Sequence, residues 1–318
     1  MEKNIILTGG TGFIGSQLAE KILNENKNIV LLKRSHSNIW RIENLIDSFD
    51  NLETINIDKV KISEIFETFN IEGILHLATH YSKFHNSDEI KDMIYSNVTF
   101  PTILLENSIK NNLKYFVNTG SYGEYLGGDY SGDKILFTEN SKIIPFNLYS
   151  STKVAFENIL KFYNQEYGIK TASLKLFTPY GPKDDENKII PYLIVNYIKK
   201  NKITINSASK KLDVLFVSDI IDAYEKLIQN IKKFKMNENF NIASGTSHSI
   251  KNIYSMVDSM LGDTDGGTDI EFLESDPSDV KVDISKAYNL LNWKPKIDLN
   301  QGLKLTIDYY KNKYKTFI

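Results

Sequence analysis

The chain has 318 residues, enough for one large domain or two modest ones, and a formal net charge of −2 that calls for neither an acidic nor a basic partner. Without cysteine it can form no disulfide, thiolate metal site or cysteine nucleophile, a composition that suits a reducing cytoplasm. The 38 basic residues include two arginines, Arg34 and Arg41, so no nucleic-acid surface is expected, and no apolar run approaches the ~18 residues of a membrane helix.

The N-terminus carries an acid and an apolar stretch too short for a signal-peptide core. "NIILTGG" reads as a first strand and leads into a helix from Gly12 to Asn24. Between them "TGGTGFIG" sets Gly9, Gly12 and Gly15 three residues apart, with Phe13 and Ile14 in the opening turn. Glycines there permit a tight turn and close approach of a pyrophosphate, and the helix N-terminus offers oriented N–H donors. In its strand–turn–helix setting the triplet points to dinucleotide binding.

The second strand, "NIVLLKR", decides which dinucleotide. An NAD site usually ends it with a carboxylate for the ribose 2′-hydroxyl. Here Lys33, Arg34 and Ser35 stand in that place, with no acid before Glu43. The trio can bind a 2′-phosphate, with Arg34 as a planar fork, or Lys33 and Arg34 can be solvated charges at a strand end. NADPH is therefore the expected coenzyme and NAD(H) the alternative.

A polar helix over Ile39–Ser48 and the strand "LETINID" follow; Asp58, ending it, can accept from the adenine amine or serve a turn. Helix Ile62–Phe69 leads to the fourth strand, "GILHLAT". His76, His80 and His85 lack organised carboxylates, so core and loop roles are expected and no metal. A long helical periodicity runs from Asp88 to Asn111, with Pro101 as a kink or boundary. "LKYFVNTGS" is a fifth strand, "AFENILKFYNQEYG" a helix and "TASLKLF" a sixth strand. Alternating strands and helices to this point imply an α/β fold, a Rossmann-type doubly wound parallel sheet.

After "TPYGPKDDENK" the rhythm loosens. A helix over 189–200, strands "KITIN" and "LDVLFVS", helices 219–231 and 249–261, an exposed loop at Gly262–Gly267 and two closing amphipathic helices are expected. Residues 1–178 are expected to form the dinucleotide-binding domain, with 212–243 returning to it, and 179–318 mainly a smaller α/β substrate domain.

"NLYSSTKVAFE" places Tyr149 and Lys153 one helical turn apart, on one face. A neighbouring ammonium favours phenolate and would bring the tyrosine towards the range useful for proton transfer. Alone the spacing is common; after the fifth strand of a dinucleotide-binding sheet it reads as chemistry.

The stretches "TGGTGFIG", "HLAT", "SNV", "YFVNTGS", "YSSTKVAFE", "LKLFTPYGP", "FVSDIIDAY", "NIASG" and "DISKAYNLLNWKPKIDLNQGL" together resemble an extended short-chain dehydrogenase/reductase of the nucleotide-sugar-modifying group. The resemblance implies Tyr149 as acid/base, Lys153 on the nicotinamide ribose, and Ser121 on the substrate oxygen, with Thr119 as the competing hydroxyl. It further implies Leu77, Ala78, Thr79 and Phe177 at the cofactor, Tyr81, Thr178 and Lys188 at the substrate, and a homodimer paired through the helix after the fourth strand and the one beginning at Tyr149. A non-catalytic dinucleotide-sensing relative would typically lack the tyrosine–lysine pair.

Dehydratases of this group follow the catalytic hydroxyl with Asp-Glu; Tyr122 and Gly123 stand here, which disfavours dehydration. "VNTGS", "PFNLYSSTKVAFENILKFY" and "LDVLFVSDIIDAY" resemble CDP-abequose synthase-like 4-ketoreductases, and "LLKRS" favours a reductase over an NAD-retaining 4-epimerase or C4 dehydrogenase. Two phosphate-binding arginines usual in the family are missing: Leu212 occupies one position, and "ESDPSDV" lacks the other. Lys188, Lys210 or Lys211 can supply charge there without bidentate geometry.

Overall fold

A computed structural model describes residues 2–82, 84–126, 134–262, 269–273 and 279–315. The expected loop at Gly262–Gly267, apart from Gly262, and the turn of "ESDPSDV" before Asp279 lie outside the described residues, as does Lys83 of the loop bearing Tyr81.

Five strands open the chain: β1 (Asn4–Thr8), β2 (Asn28–Lys33), β3 (Leu52–Asn56), β4 (Ile71–His76) and β5 (Tyr115–Ser121). With strands Lys170–Leu176 and Glu238–Ile242 they form a seven-stranded sheet in the order 238–242, 170–176, β5, β4, β1, β2, β3. β1 pairs in parallel with β2 on one side and β4 on the other, Leu7 facing Leu31 and Leu75. The chain reverses its winding direction at β1, and the crevice at such a reversal is where α/β sheets bind ligands.

Strands covered on both faces must be apolar almost throughout, and these are: Ile6, Leu7, Val30, Leu31, Ile74, Leu75, Phe116 and Val117 are fully buried. Ile6, Val30, Ile74 and Phe116 share a core with Phe100, Leu104, Phe156 and Leu160 from flanking helices. The sheet is thus a Rossmann-like parallel sheet with helical layers.

The chain divides into two compact units. One comprises Met1–Gly128, Ser141–Lys175 and Ala223–Phe240; the other comprises Asp129–Asn140, Leu176–Asp222 and Asn241–Ile318. Within the second, Ile203–Ile205 pairs with Ile270–Phe272, Pro179–Tyr180 with Leu215–Phe216, and Lys134–Phe137 with Asp279–Val282. The buried Trp293 donates its indole N–H to the Asp219 carbonyl at 2.9 Å, and the Asp219 carboxylate accepts from the Ile297 N–H at 3.0 Å.

Three elements differ from the sequence pattern. The helix expected over Ile39–Ser48 is shorter, Glu43–Ser48, because the Ile39 carbonyl is taken in a turn by the Ile42 and Glu43 N–H groups. "LDVLFVS" is no continuous strand: it breaks into Lys211–Leu212 and Leu215–Phe216, and the helix already starts at Val217. The long helix is interrupted, and Pro101 lies at the boundary where the last segment begins. A π-helical stretch, Tyr95–Thr99, separates helix Ser87–Ile94 from helix Phe100–Ser108, so the proline falls in a first turn, where its missing N–H costs little.

Candidate active site

The glycine turn fits a dinucleotide for reasons visible in its own contacts. Gly9 has a positive φ of 71°, and a Cβ there would lie 2.6 Å from the Ala78 nitrogen and the Leu77 carbonyl carbon. A Cβ on Gly15 would lie 2.2 Å from the Gly9 carbonyl oxygen. Leu77 and Ala78 therefore back the turn directly, and their N–H groups bond to Thr8, through its carbonyl at 3.2 Å and its hydroxyl at 3.1 Å. Helix Phe13–Asn24 starts at Gly12 with no side-chain cap and no acid in its first turn, which leaves Phe13, Ile14 and their neighbours suited to an anion.

At the end of β2 the expected phosphate trio is divided. The Lys33 ammonium donates to Asn56 at 2.7 Å. Ser35 donates its N–H to Asp58 at 2.8 Å and its hydroxyl to the other carboxylate oxygen. These bonds hold the Asp58 carboxyl below its usual range. Asp58 thus grips Ser35 rather than standing free for an adenine amine, because the two loops meet at neighbouring strand ends. The Arg34 guanidinium is exposed, its backbone N–H tied to the Ser37 hydroxyl at 3.1 Å.

The opposite end of the sheet gathers the proton chemistry. Helix Leu148–Tyr167 is capped by Asn147, whose side chain accepts the Ser150 N–H at 2.9 Å, and so presents Tyr149 and Lys153 one turn apart. The Thr79 and Ser121 hydroxyls lie close enough to the Tyr149 phenol to draw its pKa down. Tyr81 packs edge-on against its ring, centroids 4.9 Å apart at 82°. Lys153, 3% exposed, donates to the Thr119 carbonyl at 3.0 Å, its nitrogen 5.8 Å from the Tyr149 ring centre.

Ser121 and Thr119 are distinguished by their partners. The Thr119 hydroxyl bonds to the His76 carbonyl at 2.9 Å and to the Tyr224 hydroxyl at 2.5 Å, turned away into the fold. The Ser121 hydroxyl accepts the Gly123 N–H at 3.2 Å and stands beside Tyr149.

One expectation is corrected. The phenol is not acidified here: burial, then the Glu124 carboxylate, pushes the Tyr149 pKa up, against the opposing pull of the Thr79 and Ser121 hydroxyls. Burial likewise depresses Lys153 to about 8, with Glu124 acting the other way. Both groups are pushed towards their neutral forms because burial disfavours charge on each.

Four residues beyond the expected set shape the site. The buried Asn97, in the π-helical stretch, accepts from the Thr79 hydroxyl at 3.0 Å and the His80 N–H at 2.7 Å. Its amide donates to the His80 carbonyl and the Thr152 hydroxyl. The signal for it was present in "SNV". Glu124 and Lys175, each 2% exposed, form a 3.0 Å ion pair below Ser121, and Tyr224 orients Thr119. Nothing local in the sequence marks Lys175 or Tyr224, whose partners are distant in the chain; Glu124 stands three residues after Ser121, the spacing of a capping box. Phe177, Thr178 and Lys188 belong to the second unit: Phe177 is buried with its N–H on the Ile242 carbonyl, Thr178 has a positive φ of 20°, and Lys188 is exposed just ahead of helix Ile189–Ile198. Among the described residues no group of three or more His, Asp or Glu side chains is arranged to hold a metal ion, and no helix is long and apolar enough to cross a membrane.

Comparison with known proteins extends the geometry. The chain is 25% identical over 312 residues to CDP-abequose synthase of Salmonella typhimurium, covering 96% of this chain and 97% of that one. It is 27% identical over 321 residues to UDP-glucuronate 4-epimerase of Thermodesulfobacterium geofontis, covering 96% and 95%. Among solved structures, UDP-glucuronic acid 4-epimerase from Bacillus cereus, in complex with UDP-glucuronic acid and NAD, superimposes with a TM-score of 0.84 at 26% identity, covering 98% of this chain and all of the other. The NAD dependent epimerase/dehydratase family matches residues 5–243, and the chain belongs to that family of nucleotide-sugar-modifying extended short-chain dehydrogenases/reductases.

Proposed function

We propose that this enzyme uses NADPH to reduce the C4 keto group of a nucleotide-linked 4-keto-6-deoxy or 4-keto-3,6-dideoxy sugar, for surface polysaccharide synthesis. The observation that carries the proposal is the meeting of Tyr149, Ser121 and Thr79 hydroxyls one helical turn from a buried Lys153. In that cluster Tyr149 gives its proton to the carbonyl oxygen as the C–O bond gains electrons. The Ser121 hydroxyl, its lone pair engaged by Gly123, keeps its own proton to steady the developing alkoxide. Lys153 holds the ribose, and its charge lowers the cost of leaving a phenolate behind. Gly9, Gly12 and Gly15 would hold the pyrophosphate of the coenzyme, which would supply the hydride when bound. The absence of a carboxylate at the end of β2 and the exposed Arg34 support the phosphorylated coenzyme, and Tyr122 and Gly123 after Ser121 supply no acid–base pair for dehydration.

A second reading, an NAD-retaining 4-epimerase or C4 dehydrogenase, is favoured by one feature: the Asp58 carboxylate on Ser35 sets negative charge beside the position a 2′-phosphate would take. The similarity to a 4-epimerase solved with NAD agrees with it. The readings separate in one preparation. A reductase oxidises NADPH when given CDP-, dTDP- or UDP-linked 4-keto sugars and is purified without coenzyme. An epimerase carries bound NAD(H), visible by absorbance and fluorescence, and interconverts 4-epimers without consuming NADPH.

Under this proposal Tyr81, Thr178 and Lys188 are candidate contacts of the nucleotide sugar. The enzyme acts in the cytoplasm as a homodimer through helices Ser87–Ile94 and Leu148–Tyr167, where Ile94, Tyr95 and Phe162 are exposed apolar positions. Light scattering coupled to size exclusion tests the dimer.

A further inference from the structure

The buried pair of Glu124 and Lys175 has no part in the scheme above, yet it lies directly beneath it. An ion pair with both partners 2% exposed is an expensive way to fill a core, since apolar residues of similar volume stabilise equally or better. The pair is also confined. A Cβ on Gly120 would come within 2.9 Å of Glu124 Oε1 and 3.0 Å of Lys175 Cγ, and the Lys175 ammonium sits 4.4 Å above the Tyr125 ring centre. Glu124 therefore cannot swing out to act on a substrate. Its carboxylate has two fixed partners instead: one oxygen accepts the Ser121 N–H at 2.8 Å, the other pairs with Lys175 at 3.0 Å. Together with the Gly123 N–H on the Ser121 hydroxyl, this closes a reciprocal cap over the turn Tyr122–Glu124.

We propose that Glu124, anchored by Lys175, positions Ser121 and supplies the fixed negative charge against which the Tyr149–Lys153 pair works. The inference rests on the assignment of Tyr149 and Ser121 made above. Glu124 is a positioning residue: it acts through the Ser121 backbone and through its field, and touches no reacting atom. The charged and titratable groups facing it are Lys175, Lys153, Glu157 and Tyr149; those facing Tyr149 are Glu124, Lys153 and Tyr81, with the hydroxyls of Thr79 and Ser121. Glu157 is itself engaged, accepting from Ser173 and Asn237 at 2.5 Å each. Burial drives the Glu124 pKa up while Lys175 and the Ser121 N–H draw it down; the carboxylate in turn raises both Tyr149 and Lys153.

Glu124→Gln tests this, because the amide oxygen can still accept the Ser121 N–H while the charge, and with it the acceptor facing Lys175, is lost. Removing an anion must lower both neighbouring pKa values. The Lys153 titration, followed by NMR of lysine labelled at Cε and assigned with Lys153→Met, is expected to move down by about one pH unit, and the alkaline limb of the rate profile with it. Glu124→Ala, which also loses the cap, is expected to lower kcat further at an unchanged KM. A folded Glu124→Gln protein whose Lys153 titration and rate profile both stay in place overturns the proposal. Should the uncompensated Lys175 prevent folding, Glu124→Gln/Lys175→Gln removes both charges and is expected to move the Lys153 titration down by less, since losing the Lys175 cation acts in the opposite sense; no downward shift in a folded double variant overturns the proposal. The titration needs no substrate. If wild type reduces no 4-keto sugar, the functional assignment fails, while the field of Glu124 is still measured.

Discussion

The two ends of the sheet's carboxyl edge within the first unit differ in how firmly their polar groups are committed. Around Tyr149 the charges of Lys153, Glu124 and Lys175 are buried and most polar groups have a named partner: Thr79 on Asn97, Thr119 on Tyr224, Lys153 on the Thr119 carbonyl, Glu124 on Lys175. At the end of β2 Arg34 is open to solvent, and Asp58 holds the exposed Ser35. The buried end fixes a reaction class because moving any member leaves another unsatisfied in a low-dielectric setting, which is costly. At the exposed end the Arg34 side chain can be substituted with less disturbance, since it stands open to solvent, whereas Lys33 and Asp58 hold Asn56 and Ser35.

The sharpest way to break this contrast is Tyr149→Phe. Loss of the proton donor is expected to cut kcat by about 10²- to 10⁴-fold with coenzyme affinity unchanged, measured by steady-state rates and fluorescence titration. Arg34→Ala comes next: loss of a charge-assisted contact of about 1.5–3 kcal/mol is expected to weaken NADPH binding roughly tenfold to a hundredfold and leave NADH unaffected. Equal effects on the two coenzymes would favour the NAD-retaining reading. Third is pH. Lys153 is depressed to about 8, so its ammonium is present below that pH and is lost as pH rises through it. Activity is expected to fall by about tenfold between pH 7 and pH 9, and a flat profile would remove Lys153 from the chemistry. The smallest effect belongs to Asp58→Asn, which removes an exposed anion and is expected to improve NADPH affinity by about twofold to fivefold.

The same division explains what the sequence could be made to say. The strand–helix alternation, the glycine turn and the Tyr149–Lys153 spacing are local patterns, and each has a steric or periodic cause readable in a few residues, as the Gly15–Gly9 approach shows. Pro101 did mark a boundary, but the widened turn before it is invisible to periodicity, which tracks a constant advance per residue. The raised Tyr149 pKa was equally hidden: the sequence displays the lysine four residues on, while burial and Glu124 are properties of the assembled fold. Asp58 was read by itself, but its partner Ser35 arrives from the neighbouring strand end.

The widened turn at Tyr95–Thr99 carries a consequence for how this scaffold can drift. Each residue of a regular helix advances the azimuth by about 100°, so a one-residue deletion here would restore tidy winding at the expense of phase. Asn97 would then swing off the segment that joins Thr79 and His80 to Thr152. An irregularity that looks like loose coiling is in effect a spacer, and length changes that are harmless elsewhere on this helix would here unfasten the floor of the active centre.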